Sequence, residues 1–140
     1  METTDLRAYS AFTLLAFEPD SPPGRLRWDG YELSHDTPSP PVVSSSFRGP
    51  EVTRGRIELY HATVGRNPTQ EELRDYHESH APQKGPYSVC VHRDDGGTVS
   101  LTEVVVNAQS VEMRYTPGPP CEEGALAALI IDRSSREANP

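Results

Sequence analysis

Apolar and polar positions alternate most clearly in residues 110–116, where Val111, Met113 and Tyr115 interleave with Glu112 and Arg114. A period of two sends successive side chains to opposite sides, so this stretch predicts a strand with one apolar and one wet face. Just upstream, residues 98–107 are rich in Thr and Val, which suit a pleated, half-buried surface. Residues 87–93 read as another strand, closed by Asp94-Asp95-Gly96-Gly97. Two glycines after two acids predict a tight hairpin turn with positive φ. The stretch 86–121 therefore predicts a three-stranded antiparallel meander with its second turn at Asn107-Ala108-Gln109. Pro117-Gly118-Pro119-Pro120 ends it, because proline has no N–H to donate and fixes φ.

The rest of the chain is read around that meander. Residues 8–17 form an apolar run of strand length and predict a strand buried on both faces, with a short buried helix as the competing reading. Residues 25–33 carry Asp29-Gly30 at their centre and predict a short hairpin flanked by Trp28 and Tyr31. Residues 42–47, VVSSSF, predict one short strand. A helix follows over residues 51–64, opened by Arg48-Gly49-Pro50, with Ile57, Tyr60 and Val64 as a thin apolar stripe. Gly55 inside it costs about 1 kcal/mol against alanine, and Gly65 suits its end. A second helix begins at the capping box Thr69…Glu72 and runs to about residue 80, with Leu73, Tyr76, His77 and His80 on one side. Residues 125–131, ALAALII, predict a closing strand in preference to two helical turns. The fold class expected is α+β: an antiparallel meander plus two helices. One domain spans residues 8–131, with a frayed start at 1–7 and a disordered tail at 132–140.

Composition narrows the function. The apolar fraction of 34%, with 14 prolines and 10 glycines, predicts a modest core with irregular margins in a chain of 140 residues. A net charge of −8 opposes binding to phosphate backbones, so no nucleic-acid partner is expected. No apolar run approaches the roughly 20 residues of a membrane span. METTDLRAYS lacks a signal-peptide pattern, and only Cys90 and Cys121 are present. A cytoplasmic, reducing location is the default reading, with one bridge between the two cysteines left open.

No catalytic constellation emerges from the residues. His77 and His80, three apart on a predicted helix with His92 downstream, have a spacing that holds metal in some sites. Without Cys-x-x-Cys or His-Glu-x-x-His, ordinary helix histidines are the better reading, and neither metal nor cofactor is expected. Cys90 and His92 lie two apart on a strand, sharing a face without pointing at each other, which favours a core cysteine over a thiolate pair. Asp94-Asp95 with Glu103 read as hairpin acids. Ser44-Ser45-Ser46 lack a nucleophile-elbow context, and Gly118-Pro119-Pro120-Cys121 reads as a strand terminator.

Three segments carry a family resemblance: VVSSSFRGPEVTRGRIELY (42–60), YSVCVHRDDGGTVSLTEVVV (87–106) and MRYTPGPPC (113–121). In order and spacing they resemble the C-terminal half of the NRDE family, whose eukaryotic members are called transport and Golgi organisation proteins. More distantly they are similar to autoproteolytic hydrolases of the penicillin acyltransferase type. The resemblance implies part of an N-terminal-nucleophile (Ntn) hydrolase-like αββα sandwich and covers residues 11–121. In that family a cysteine follows the initiator methionine and an Asn-Arg-Asp-Glu tetrapeptide follows the cysteine. Here Met1 precedes Glu2, Thr3 and Thr4. The expectation is thus a non-catalytic fragment or subunit, with no catalytic residue and with His92 and Arg93 as the positions facing a substrate. Its expected partners are a complementing N-terminal half or a second copy, met through exposed strand edges. The alternatives are a cysteine amidohydrolase or acyltransferase using Cys90 or Cys121, and an autonomous binding module using Arg93.

Overall fold

Local sequence chemistry sets the element boundaries in the structure, a computed structural model that describes residues 5–18 and 21–133. A 3-10 turn, Leu6–Ala8, is capped by the Asp5 carboxylate, which accepts from the Arg7 amide. Residues 5–7 of the start expected to be frayed lie in this turn and its cap. Residues 1–4, and residues 134–140 of the expected tail 132–140, lie outside the described residues, while Asp132 ends a strand. Strand β1 (Phe12–Ala16) pairs antiparallel with β2 (Gly24–Trp28), and β2 with β3 (Leu33–Asp36). The hairpin at Asp29-Gly30 is as the sequence predicts. Gly30 takes φ 103°, and the Asp29 carboxylate accepts from the amides of Tyr31 and Glu32 at 2.8 Å each. Trp28 is buried, its indole N–H donating to the Tyr9 carbonyl, whereas Tyr31 is 94% exposed.

Helix α1 (Gly49–Thr63) starts with Pro50 in its first turn, and helix α2 (Gln70–Glu78) is closed by both arms of the Thr69–Glu72 capping box. The two helices meet at Tyr60, Val64 and Tyr76, with Leu59, Leu73 and Val89 against them. The Tyr60 and Tyr76 rings pack edge to face at 5.2 Å. The Tyr76 hydroxyl donates to the Arg56 carbonyl at 3.1 Å, so its polar end is satisfied inside the core.

Beyond α2 the chain bends through residues 79–91 to a two-residue strand β4 (His92–Arg93), paired with β5 (Gly96–Gly97). Strands β6 (Ser100–Val106), β7 (Ser110–Pro117) and β8 (Ala127–Asp132) then form an antiparallel sheet in that order. Asn107 closes the β6–β7 turn, its side-chain oxygen accepting from the amides of Gln109 and Ser110. The architecture is α+β, with two helices and three antiparallel sheets. Among the described residues no helix is long and apolar enough to cross a membrane.

Four expectations are corrected. The three-stranded meander is β6-β7-β8, not residues 87–116, because β8 is the partner of β7 and residues 86–90 are bent. Residues 42–47 form no strand; the Ser45 hydroxyl bonds the backbone of Phe47 locally and competes with a ladder. Strand β1 is not buried on both faces, since Leu14 is exposed and β1 lies at the sheet edge. Finally, Gly96 and Gly97 are not among the glycines with positive φ, which are Gly30, Gly85 and Gly118. Glycine serves at position 97 for close approach instead: a Cβ there would meet the Val91 carbonyl oxygen at 2.8 Å, while one at Gly96 meets nothing within 4 Å. Gly97→Ala is therefore expected to cost about 1–3 kcal/mol through backbone overpacking. Gly96→Ala is expected to be neutral or slightly stabilising by about 0.4–1 kcal/mol. Thermal unfolding of the two variants beside the parent checks the contrast.

Candidate functional site

The bend after α2 gathers most of the chain's chemistry. Ser79 ends the helix in extended conformation, ψ 135°, so His80 leaves the helical face that His77 keeps. The His77–His80 pair expected on one helix side does not form. His80 instead turns to His92, with the two Nε2 atoms 3.1 Å apart. His92 is placed by β4, whose amide donates to the Gly85 carbonyl. Its Nε2 also lies 3.5 Å from the Cys90 sulfur and 3.3 Å from that of Cys121.

Cys90 is fully buried, and its amide donates to the Ser79 carbonyl at 3.1 Å. Ser88, also fully buried, reaches the carbonyls of Gly85 and Cys90 with its hydroxyl and accepts from the Gly85 amide. Cys121 arrives from the other side. The Gly118 amide donates to Val99, and a turn over Pro119 to Glu122 sets the Cys121 sulfur 3.4 Å from that of Cys90. Gly118-Pro119-Pro120-Cys121 thus ends β7, as read from the sequence, and also delivers a thiol. Both cysteines are free.

One donor atom from each of His80, Cys90, His92 and Cys121 lies within 4.8 Å of all the others. Two thiols and two imidazoles are the donor set that suits soft or borderline divalent ions. Burial pushes the Cys90 thiol up to about 11, with the Cys121 amide opposing the rise. Burial and the neighbouring Lys84 and His80 hold the His92 imidazole below its ordinary range. A buried cysteine with a raised pKa is poorly suited to nucleophilic attack.

Arg93, the neighbour of His92, belongs to a different surface. It lines a cleft of about 560 Å³ with Ser44, Ser46, Phe47, Arg56 and Thr98. Its guanidinium stands over the Phe47 ring at 5.6 Å and makes two hydrogen bonds to the Asp95 carboxylate. Arg56 in the same cleft donates to the carbonyls of Tyr87 and Pro86. The two positions expected to face one substrate are therefore divided between the cysteine–histidine cluster and this cleft. Sequence reading missed Cys121 as a cluster member. Its one signal was that the only two cysteines flank a predicted β unit containing a histidine.

Comparison with protein-family models, with curated proteins and with solved structures finds no match.

Ser88 holds the bend that presents Cys90 and His92. Ser88→Ala removes the buried hydroxyl that bonds the Cys90 carbonyl, while the Gly85 carbonyl keeps the His92 amide, and is expected to destabilise the fold by about 1–3 kcal/mol. Urea unfolding checks it.

Proposed function

We propose that this chain is the non-catalytic half of an Ntn-type layered assembly, working as a subunit docked to a complementing, sheet-bearing half. The observation that carries the reading is the one-sided covering of the sheets. Helix α2 lies over one face of β6 and β7, where Leu101 and Thr116 are buried, Arg74 pairs with Glu103 and Arg114 reaches Gln70, while β8 beyond it is exposed on both faces. The opposite face carries Val104, Met113 and Leu129 in register across the three strands. They are 54%, 39% and 51% exposed. The first sheet repeats the plan. Its polar face, with Thr13, Arg25 and Arg27, looks across a cleft to Thr53, Arg54 and Ile57 of α1, while on the other face Leu14 and Leu33 are exposed and Trp28, paired with Leu33, is buried.

A sheet with a helix on one side and an apolar surface on the other is completed by a second sheet. Such an arrangement is the half of an αββα stack that the NRDE resemblance implies. The area agrees. A folded chain of 15.5 kDa is expected to expose about 7,200 Å², whereas this one exposes 10858 Å². Even setting aside about 2,000 Å² for the thirteen residues outside the described ranges, at extended-chain exposure, the excess matches one side of a large obligate interface. The full burial of Cys90 supports the non-catalytic reading over a hydrolase that uses this cysteine.

In solution the chain alone is expected to bind the apolar dye ANS and to self-associate on a sizing column with light scattering. Met113→Glu with Leu129→Lys, an opposite-charge pair across the β7–β8 register, should abolish both and leave the stability within about 0.5 kcal/mol of the parent, as substitutions at exposed sites do. A companion chain beginning Met-Cys with Asn-Arg-Asp-Glu should co-purify with the parent and not with the double variant. A dye-silent monomer that the double substitution destabilises would mean that this face is packed, and would overturn the proposal.

A further inference from the structure

We propose that His80, Cys90, His92 and Cys121 form a closed, four-coordinate structural zinc site. The inference is independent of the docking reading, since none of the four residues lies on the open sheet faces.

The geometry points to an ion at the centre of the four donors. A tetrahedral zinc with bonds of about 2.3 Å to sulfur and about 2.05 Å to nitrogen sets edges of about 3.8 Å between sulfurs, about 3.3 Å between nitrogens and about 3.6 Å between sulfur and nitrogen. The corresponding distances are 3.4 Å for Cys90–Cys121, 3.1 Å for His80–His92, and 3.5 and 3.3 Å from His92 to the two sulfurs. These four edges fall about 0.1–0.4 Å inside the ideal figures, and the remaining two, from His80 to the sulfurs, lie within 4.8 Å. Hydrogen bonding alone does not account for the arrangement. The His92 Nε2 offers one proton or one lone pair, yet three donor atoms crowd it within 3.5 Å. A disulfide does not account for it either, because it requires sulfurs about 2.05 Å apart and leaves both imidazoles without a role.

Zinc satisfies all four groups together. The two thiols release their protons to water and bind as thiolates, and the imidazoles bind neutral through Nε2. Four protein ligands leave no open position, so the site is structural rather than catalytic. Its ligands come from the exit of α2, the bend before β4, β4 itself and the turn after β7. One ion thereby ties together four segments of a chain in which, among the described residues, the largest fully buried side chains are only Val52, Cys90 and Ser88. Small cores are the setting in which metal ligation supplies folding stability.

The test is metal analysis of the reduced full-length chain expressed in zinc-supplemented medium. About one zinc per chain is expected for a closed site, released when a mercurial titrates two thiols. Cobalt exchanged into the protein should give the intense visible bands of a tetrahedral ion with thiolate charge transfer in the near ultraviolet. Cys121→Ser and His80→Ala should lower bound zinc to under about a tenth per chain, while His77→Ala retains it. Because the first two variants risk misfolding, Cys121→His is included; it keeps four ligands, and its cobalt spectrum should shift toward one thiolate. Zinc-free protein whose melting temperature ignores both zinc and chelator would overturn the assignment. So would a weak octahedral cobalt spectrum, or a Cys90–Cys121 disulfide by mass in metal-free protein.

Discussion

The segment between α2 and β4 depends on one buried knot of backbone hydrogen bonds. Cys90 donates to the carbonyl of Ser79 at the helix exit, and the fully buried Ser88 hydroxyl serves the carbonyls on either side of it. Buried backbone groups that are not in a ladder must be satisfied some other way, and here the Ser88 hydroxyl and the His92 amide share the task. Because the knot holds residues 85–90 in a bend rather than a strand, β4 is short, His92 and Arg93 project to different places, and His80 is carried off the helix. The close approach of Gly97 to the Val91 carbonyl closes the same unit from the other side.

The core is thin for a chain of this length. Two tyrosines and a valine form the helix–helix contact, and the two three-stranded sheets each turn an apolar surface outward. Two kinds of support would answer this physically. In the proposed assembly a second layer over the open faces would supply apolar burial. In the proposed zinc site a bound ion would supply cross-linking where apolar burial is scarce. The cysteine–histidine cluster lies at the junction of the helical part with the C-terminal sheet, so it acts on cohesion within the chain, whereas the open faces concern its association. The cleft holding Arg56 and Arg93 is less free than its charge suggests. Arg93 is engaged by Asp95, and Arg56 by two backbone carbonyls.

Local chemistry was legible wherever it is self-contained. Thr69 and Glu72 announce the start of α2 because both arms of a capping box come from residues three apart. Asp29-Gly30 announces a hairpin because the turn is satisfied by its own carboxylate and a glycine φ. The strand reading of residues 125–131 holds within the residue or two by which such boundaries vary, because Ile130-Ile131 favours a pleated surface. The apolar alternation around Met113 also names the correct strand. It does not say that its apolar face is left open, since burial is a property of what lies opposite.

The sequence by itself determined the α+β class, both helices, the hairpin at Gly30 and the paired β6 and β7, all from interactions a few residues long. Tertiary structure alone decided which strand completes the last sheet, that residues 42–47 and 87–91 are not strands, and that Cys121 meets Cys90. The cluster draws on positions 80, 90, 92 and 121. No short spacing encodes it, because its geometry is set by where a helix stops, where a serine buries its hydroxyl and where a proline turn sends the chain.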